Sequence, residues 1–262
     1  MKMLFSFYLL ICSCSLFAQE KFQLAPPLLK YNSVFFSGKT ALEIKFAQKG
    51  AVVHYSLNNN EPTLQDPVYL GPITISKNFT TVKAKAFGEY FLPSPIAAVT
   101  FIKEGIKIKS VDYTKPDAKY PGSGVNTLID NKGGIDQAGS NTWFGYHSDT
   151  VSIILDLGKE QVVEDVLVNF LQSEGSWIFL PEQILVYSFN KKTNGFSPFG
   201  KDVLFMEEQT PGTKCNYQII HGRYKTKTSK ILISFWPVKK IPDWHPAKGE
   251  HAWMFIDEIK IY

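Results

Sequence analysis

Apolar and polar positions alternate with period two, in short runs, along most of this chain. Val151, Ile153, Leu155 and Leu157 alternate with Ser152 and Asp156, which predicts a strand that Gly158 stops. Val166, Val168 and Phe170 fall on one face of a second run, and Ile184, Val186 and Tyr187 follow Pro181 in a third. Further upstream, Leu42, Ile44 and Phe46 alternate with Glu43 and Lys45. Val53, Tyr55 and Leu57 repeat the pattern, and Val82, Ala84 and Ala86 alternate with Lys83 and Lys85. Runs of this length and period predict half-buried strands in a sandwich or barrel. Asn58-Asn59-Asn60 reads as the turn between two of them, because Asn tolerates positive φ and bonds its own backbone. Helical periodicity is nearly missing, so the fold class is all-β. Residues 103–108, with Lys103-Glu104-Gly105, read as a link between two sandwiches spanning 26–102 and 106–262.

The first residues break this pattern. Lys2 precedes an apolar run from Leu4 to Phe17, and Ser15-Leu16-Phe17-Ala18 offers small residues at the spacing of a signal peptidase site. Residues 1–18 are therefore predicted to be a signal peptide, too short for a transmembrane span, that exports the chain to the periplasm, cell surface or medium. A second reading makes Ile11-Cys12-Ser13-Cys14 a lipoprotein signal anchored at Cys14. Beyond this segment Cys215 is the lone cysteine, so no internal disulfide forms and the core alone must hold the fold.

Charge excludes one class of partner. The net charge of +4 comes almost wholly from lysine, and Arg223 is the single arginine. Nucleic-acid readers rely on arginine for phosphate and base contacts, so no nucleic-acid partner is expected.

Several motifs carry a resemblance. Residues 52–87 contain His54-Tyr55-Ser56-Leu57, Glu61-Pro62-Thr63, Tyr69-Leu70-Gly71-Pro72-Ile73 and Lys83-Ala84-Lys85-Ala86-Phe87. The stretch resembles the small C-terminal β-sandwich of chitobiases and β-hexosaminidases, with Asn58-Asn59-Asn60 in place of the usual Asp-Gly-Ser turn. The resemblance implies an immunoglobulin-like, non-catalytic domain. Leu128-Ile129-Asp130-Asn131, Trp143-Phe144-Gly145-Tyr146, Ile154-Leu155-Asp156-Leu157-Gly158 and Trp253-Met254-Phe255-Ile256-Asp257-Glu258-Ile259 follow. They resemble the discoidin-like jelly roll, the coagulation factor 5/8 type C domain shared with galactose-binding family 32 carbohydrate-binding modules. Together the two look like the tail of a bacterial family 20 β-hexosaminidase. The catalytic (β/α)₈ barrel of such an enzyme takes about 250 residues on its own, and no segment here supplies it.

Candidate chemistry follows from both readings. Sugars stack an apolar face on aromatic rings and bond polar side chains through their hydroxyls. Trp177 and Trp244, and also Trp236, are the candidate platforms. His245, His147 and Arg223, with Asn169, are the candidate polar partners, while Trp143 and Trp253 are expected in the core. The discoidin resemblance implies a structural Ca²⁺ where the ends of the domain meet, with Asp130, Asp136 and Glu258 as oxygen ligands. The other reading of Asp130 is a capped turn. Asp243, His245, Glu250, His251 and Asp257 crowd one segment but match no His-Glu-x-x-His spacing, and Cys215 has no nucleophile signature around it. The chain therefore reads as an exported, non-catalytic carbohydrate-binding protein for glycans of the galactose or N-acetylhexosamine type. The alternative is an accessory protein that packs on a separately encoded glycoside hydrolase; an active β-N-acetylhexosaminidase ranks last.

Overall fold

The computed structural model describes residues 21–139, 141–206 and 208–262, so the signal-peptide reading over 1–18 and the Cys14 alternative lie outside the described residues. The architecture is all-β, as expected: two sandwiches joined by a short link, with two 3₁₀ turns, Val125–Leu128 and Glu174–Ser176.

The first sandwich contains β1 (Phe22–Gln23), β2 (Leu28–Lys30), β3 (Phe35–Phe36), β4 (Thr40–Lys45), β5 (Ala51–Ser56), β6 (Ile73–Ile75), β7 (Phe79–Gly88), β8 (Phe91–Leu92) and β9 (Ala97–Lys103). One layer runs β2-β4-β6, the other β3-β9-β7-β5, and β1 pairs β8 at the rim. Their inner faces meet as the period-two pattern requires. Leu42, Ile44, Ile73 and Ile75 pack against Val53, Val82, Ala84, Ala86, Val99 and Phe101. Leu57 departs from its expected place: β5 ends at Ser56, and Leu57 is 45% exposed in the turn that follows.

The second sandwich contains β10 (Ser110–Tyr113), β11 (Phe144–Tyr146), β12 (Val151–Gln172), β13 (Gln183–Asn190), β14 (Gly195–Val203), β15 (Lys214–Trp236) and β16 (Met254–Ile261). Here Gly158 does not stop its strand. β12 runs through it with φ +76°, and Asp156 Oδ1 accepts a hydrogen bond from the Gly158 N–H at 2.7 Å. Register shifts between Asp156 and Gln161, and between Val163 and Asp165, bend β12 and its partner β15 together. Each long strand therefore serves both layers. The first halves of β12 and the last of β15 join β10, β13 and β14; the other halves join β16 and β11. The core lies inside the fold-over, where Val151, Ile153 and Leu155 face Val166, Val168, Phe170, Ile256 and Ile259.

The bend divides the second sandwich into two ends. The bend end carries the link to the first sandwich. Ile106 N–H donates to Ile261 O at 2.7 Å, and a Cβ on Gly105 would collide with the same carbonyl. Phe35 and Ile102 of the first sandwich pack on Leu167, with Phe79, Tyr217, Ile219 and Tyr262 around them. The opposite end gathers the long loops.

Candidate functional site

The loop end is built around the residues that precede β16. Trp253 N–H donates to Trp177 O at 2.8 Å, and Phe179 N–H donates to Trp253 O at 2.9 Å. These bonds stitch the loop after β12 to the start of β16. Glu174, 1% exposed, anchors the next loop: one carboxylate oxygen accepts from Gln172 Nε2 at 2.7 Å and the other from the Thr210 N–H at 2.7 Å. Trp177 closes the 3₁₀ turn in a left-handed conformation (φ 64°), and the residue stays 41% exposed.

A patch of rings gathers around the Trp253 side chain. The His147 imidazole stacks on the Trp253 indole, centroids 4.8 Å apart at 28°, and Tyr120 meets the same indole edge-on at 5.1 Å. His251 lies edge-on to His147 at 4.7 Å, and His147 Nε2 is 3.2 Å from His251 O. Asp149 accepts from Lys239 Nζ at 2.8 Å and approaches His251 Nε2 at 3.3 Å. The hydrogen bond from Lys239, then its charge, holds the Asp149 carboxyl below the usual carboxylate range. Lys119 Nζ sits 5.2 Å from the Tyr120 centroid. The patch thus joins apolar ring faces to N–H donors and a carboxylate, the mixture that takes a sugar ring and its hydroxyls.

The sequence candidates divide. His147 belongs to this patch; Trp177 reaches it through the backbone, its carbonyl accepting the Trp253 N–H. Trp244 packs beneath the loops: its Nε1 donates to Met206 O at 3.0 Å and its ring tilts against Phe179 at 6.1 Å. His245 is 4% exposed, and its Nδ1 accepts the Ala247 N–H at 3.0 Å, so it braces the loop from inside. Arg223 lies where β15 bends, at the opposite end, beside Tyr187, Pro198 and Lys201. Asn169 is fully buried and donates to Asp257 Oδ1 at 2.8 Å. Trp236, at the end of β15, is 46% exposed. Trp143 fills the core as expected, with Nε1 donating to Ile135 O at 2.9 Å.

Trp253, Tyr120, His251, Asp149 and Lys239 are the patch members that sequence reasoning missed. A signal for Trp253 existed. Met254 and Ile256 face the main core, so period two sets Trp253 and Phe255 on the other face, where they pack in a smaller cluster.

The three carboxylates expected around Ca²⁺ are not gathered into one set. Asp130 is exposed, and its Oδ1 accepts the Lys132 N–H at 2.9 Å, as a turn cap does, although it stands near enough for its charge to act on Glu258. Asp136 Oδ1 accepts the Cys215 N–H at 3.0 Å, and Glu258 is ion-paired with Lys260 at 2.6 Å. Among the described residues no group of three or more His, Cys, Asp or Glu side chains stands where it would hold a metal ion. Burial, then a hydrogen bond to Asp136, pushes the Cys215 thiol well up, which suits an inert side chain.

Residues 32–96 match the family model of the chitobiase/beta-hexosaminidase C-terminal domain, inside the 26–102 span of the sequence resemblance. No curated protein matches the chain. Among solved structures, a Ruminococcus gnavus GH29 fucosidase in complex with fucose is similar over 58% of this chain at 14% identity and TM-score 0.36; the chain spans 25% of that protein's length. The CBM32 of AlyQ in complex with 4,5-unsaturated mannuronic acid is similar over 60% of this chain and 95% of its own, at 15% identity and TM-score 0.38. A CBM32-1 from a Clostridium perfringens family 31 glycoside hydrolase is similar over 59% of this chain and 94% of its own, at 14% identity and TM-score 0.35.

Proposed function

We propose that this chain is a non-catalytic carbohydrate-binding protein whose sugar site is the loop end of the second sandwich. The observation that carries the reading is the ring patch of His147 on Trp253, with Asp149, Lys239 and His251 as its polar margin and Trp177, 41% exposed, tied to Trp253 through the backbone. A hexose laid on such a patch keeps one face on the rings while its hydroxyls meet the Asp149 carboxylate and the Lys239 ammonium at the margin. Glycans ending in galactose or an N-acetylhexosamine are the ligands expected. Export by the N-terminal segment belongs to the same reading. Among the described residues no helix is long and apolar enough to cross a membrane. A glycan array probed with the full chain tests the reading: signal on galactose or N-acetylhexosamine termini supports it, and silence on every glycan contradicts it.

A second reading rests on a different surface. On the outer face of the layer around β13, Ile154, Leu232 and Tyr187 line up across three strands by register, with Trp236 at the margin. A half-buried apolar row on an outer sheet face suits an accessory protein that packs on a separately encoded glycoside hydrolase. Co-purification with such a hydrolase, lost on Leu232→Lys, would favour this reading over the first.

A further inference from the structure

Three ionisable side chains lie within four residues of β16: Asp257, Glu258 and Lys260. The strand is bulged there. Val168 of β12 pairs with Ile259 and Phe170 with Ile256, so Asn169 alone stands opposite Asp257 and Glu258. Ile256 and Ile259 keep their places in the core, and both acids turn away from it.

The two acids are held differently. Asp257 is bonded by Asn169 Nδ2 and by the backbone N–H groups of Gly134 and Glu258. Glu258 takes its charge partner from its own strand. Its Oε1 is 2.6 Å from Lys260 Nζ, with the two side chains 0% and 7% exposed. The same ammonium lies 5.3 Å from the centroid of Phe35, on the first sandwich.

We infer that Lys260 supplies from within the chain the positive charge that a structural cation would bring to Glu258, and that it ties the two sandwiches together in doing so. A carboxylate this deeply buried needs a paired charge, and here it has one. Calcium requires six to eight oxygens, whereas one Glu258 oxygen is committed to the ammonium, Asp130 caps an exposed turn and Asp136 faces Cys215. A divalent ion sharing the Glu258 carboxylate would also stand against that ammonium, a repulsion that low dielectric strengthens.

Two buried acceptors, Glu258 Oε2 and Asn131 Oδ1, have no full hydrogen-bond partner, and the Asn131 backbone N–H also favours the Glu258 carboxylate. Both residues line a cavity of about 310 Å³ between the link and β16. A water donating one proton to each acceptor satisfies the pair, and the cavity has room for it. The internal cation leaves the junction independent of metal supply, so the loop end keeps its orientation to the first sandwich in calcium-poor surroundings.

Thermal melting of the full chain in mildly alkaline buffer, with chelator and then with excess Ca²⁺, tests this. The two curves of the unsubstituted chain are expected to superimpose. Lys260→Met should lower the melting temperature by at least about 6 °C, because it leaves a buried carboxylate unpaired. Lys260→Met combined with Glu258→Gln should recover most of that loss, since no charge is then stranded. A melting temperature that rises with Ca²⁺ in the unsubstituted chain, and no longer rises in Glu258→Gln, would overturn the inference. So would a Lys260→Met chain that melts with the unsubstituted one. If Lys260→Met does not fold, the calcium comparison on the unsubstituted chain decides the matter alone.

Discussion

The His147 imidazole lies over the Trp253 indole, 4.8 Å between centroids and 28° from parallel. The two residues come from different loops, one after β11 and one before β16, and these two strands are hydrogen-bonded neighbours. Phe144 pairs with Ile256 and Tyr146 with Met254, so continuing both strands by one residue brings His147 and Trp253 side by side. The stack is therefore a product of sheet register, and it extends a rigid element to the surface. A binding patch on such a base needs little ordering when ligand arrives, which preserves affinity.

Stability should fall as pH rises from about 4.5 to about 7. Burial raises the Glu258 carboxyl from its ordinary value of 4.5 to about 7, against the opposing pull of Lys260. In that interval the folded chain holds a proton that the unfolded chain has lost, so the stabilisation present at lower pH disappears as pH passes through the folded value. The shift corresponds to about 3 kcal/mol. Asp257, raised by burial and by Glu258, acts in the same direction. Urea unfolding across this range should show the decline, and Glu258→Gln should flatten it. An equal slope in Glu258→Gln would remove Glu258 as its source.

Gly105→Ala should destabilise the chain by about 1–3 kcal/mol, the usual cost of overpacking. The added methyl would meet the backbone carbonyl of Ile261, which is fixed in β16 and cannot rotate away. Gly71→Ala, where a Cβ meets nothing within 4 Å, is the control. Equal denaturation midpoints for the two variants would contradict the close approach of link and strand.

A fragment of residues 106–262 should unfold in one cooperative transition. Its core is closed by its own long strands, and the first sandwich covers an outer patch of Leu167, Tyr217, Ile219, Lys260 and Tyr262. Exposing that patch should make the fragment more prone to associate, an effect that Leu167→Ser should relieve. A gradual, non-cooperative melt would show that the two sandwiches depend on each other to fold.

Much of the fold was legible because period two is a local property. β7 alternates buried and partly exposed residues through Thr80, Val82, Ala84 and Ala86, as its lysines announce. Gly158 was misread for a physical reason. Glycine at positive φ serves a turn and a bulge equally well, and only the pairing of β15 alongside shows that the strand continues. The site was legible in part. Trp177 stands out because a Trp beside Gly175 and Ser176 in a loop has little to pack against. Trp244 and His245 look the same in sequence, yet a small satellite core with Phe179, Val238 and Ile241 forms beneath them from distant loops. Lys260 gave no warning: a lysine in an alternating strand reads as solvent-facing, and the bulge and the Phe35 ring that enclose it are tertiary facts.

Isothermal titration with galactose, N-acetylgalactosamine and N-acetylglucosamine locates the sugar site, run on the full chain and on the Trp177→Ala and His147→Ala variants. Arg223→Ala, at the opposite end, is the control. Saturable binding of at least one of these sugars is expected. Each patch substitution should weaken it about tenfold, equivalent to about 1.4 kcal/mol, with Arg223→Ala unchanged. Binding that survives both patch substitutions, or that is lost only in Arg223→Ala, would contradict the placement of the site. Absence of heat for all three sugars in the folded, unsubstituted chain would contradict the function.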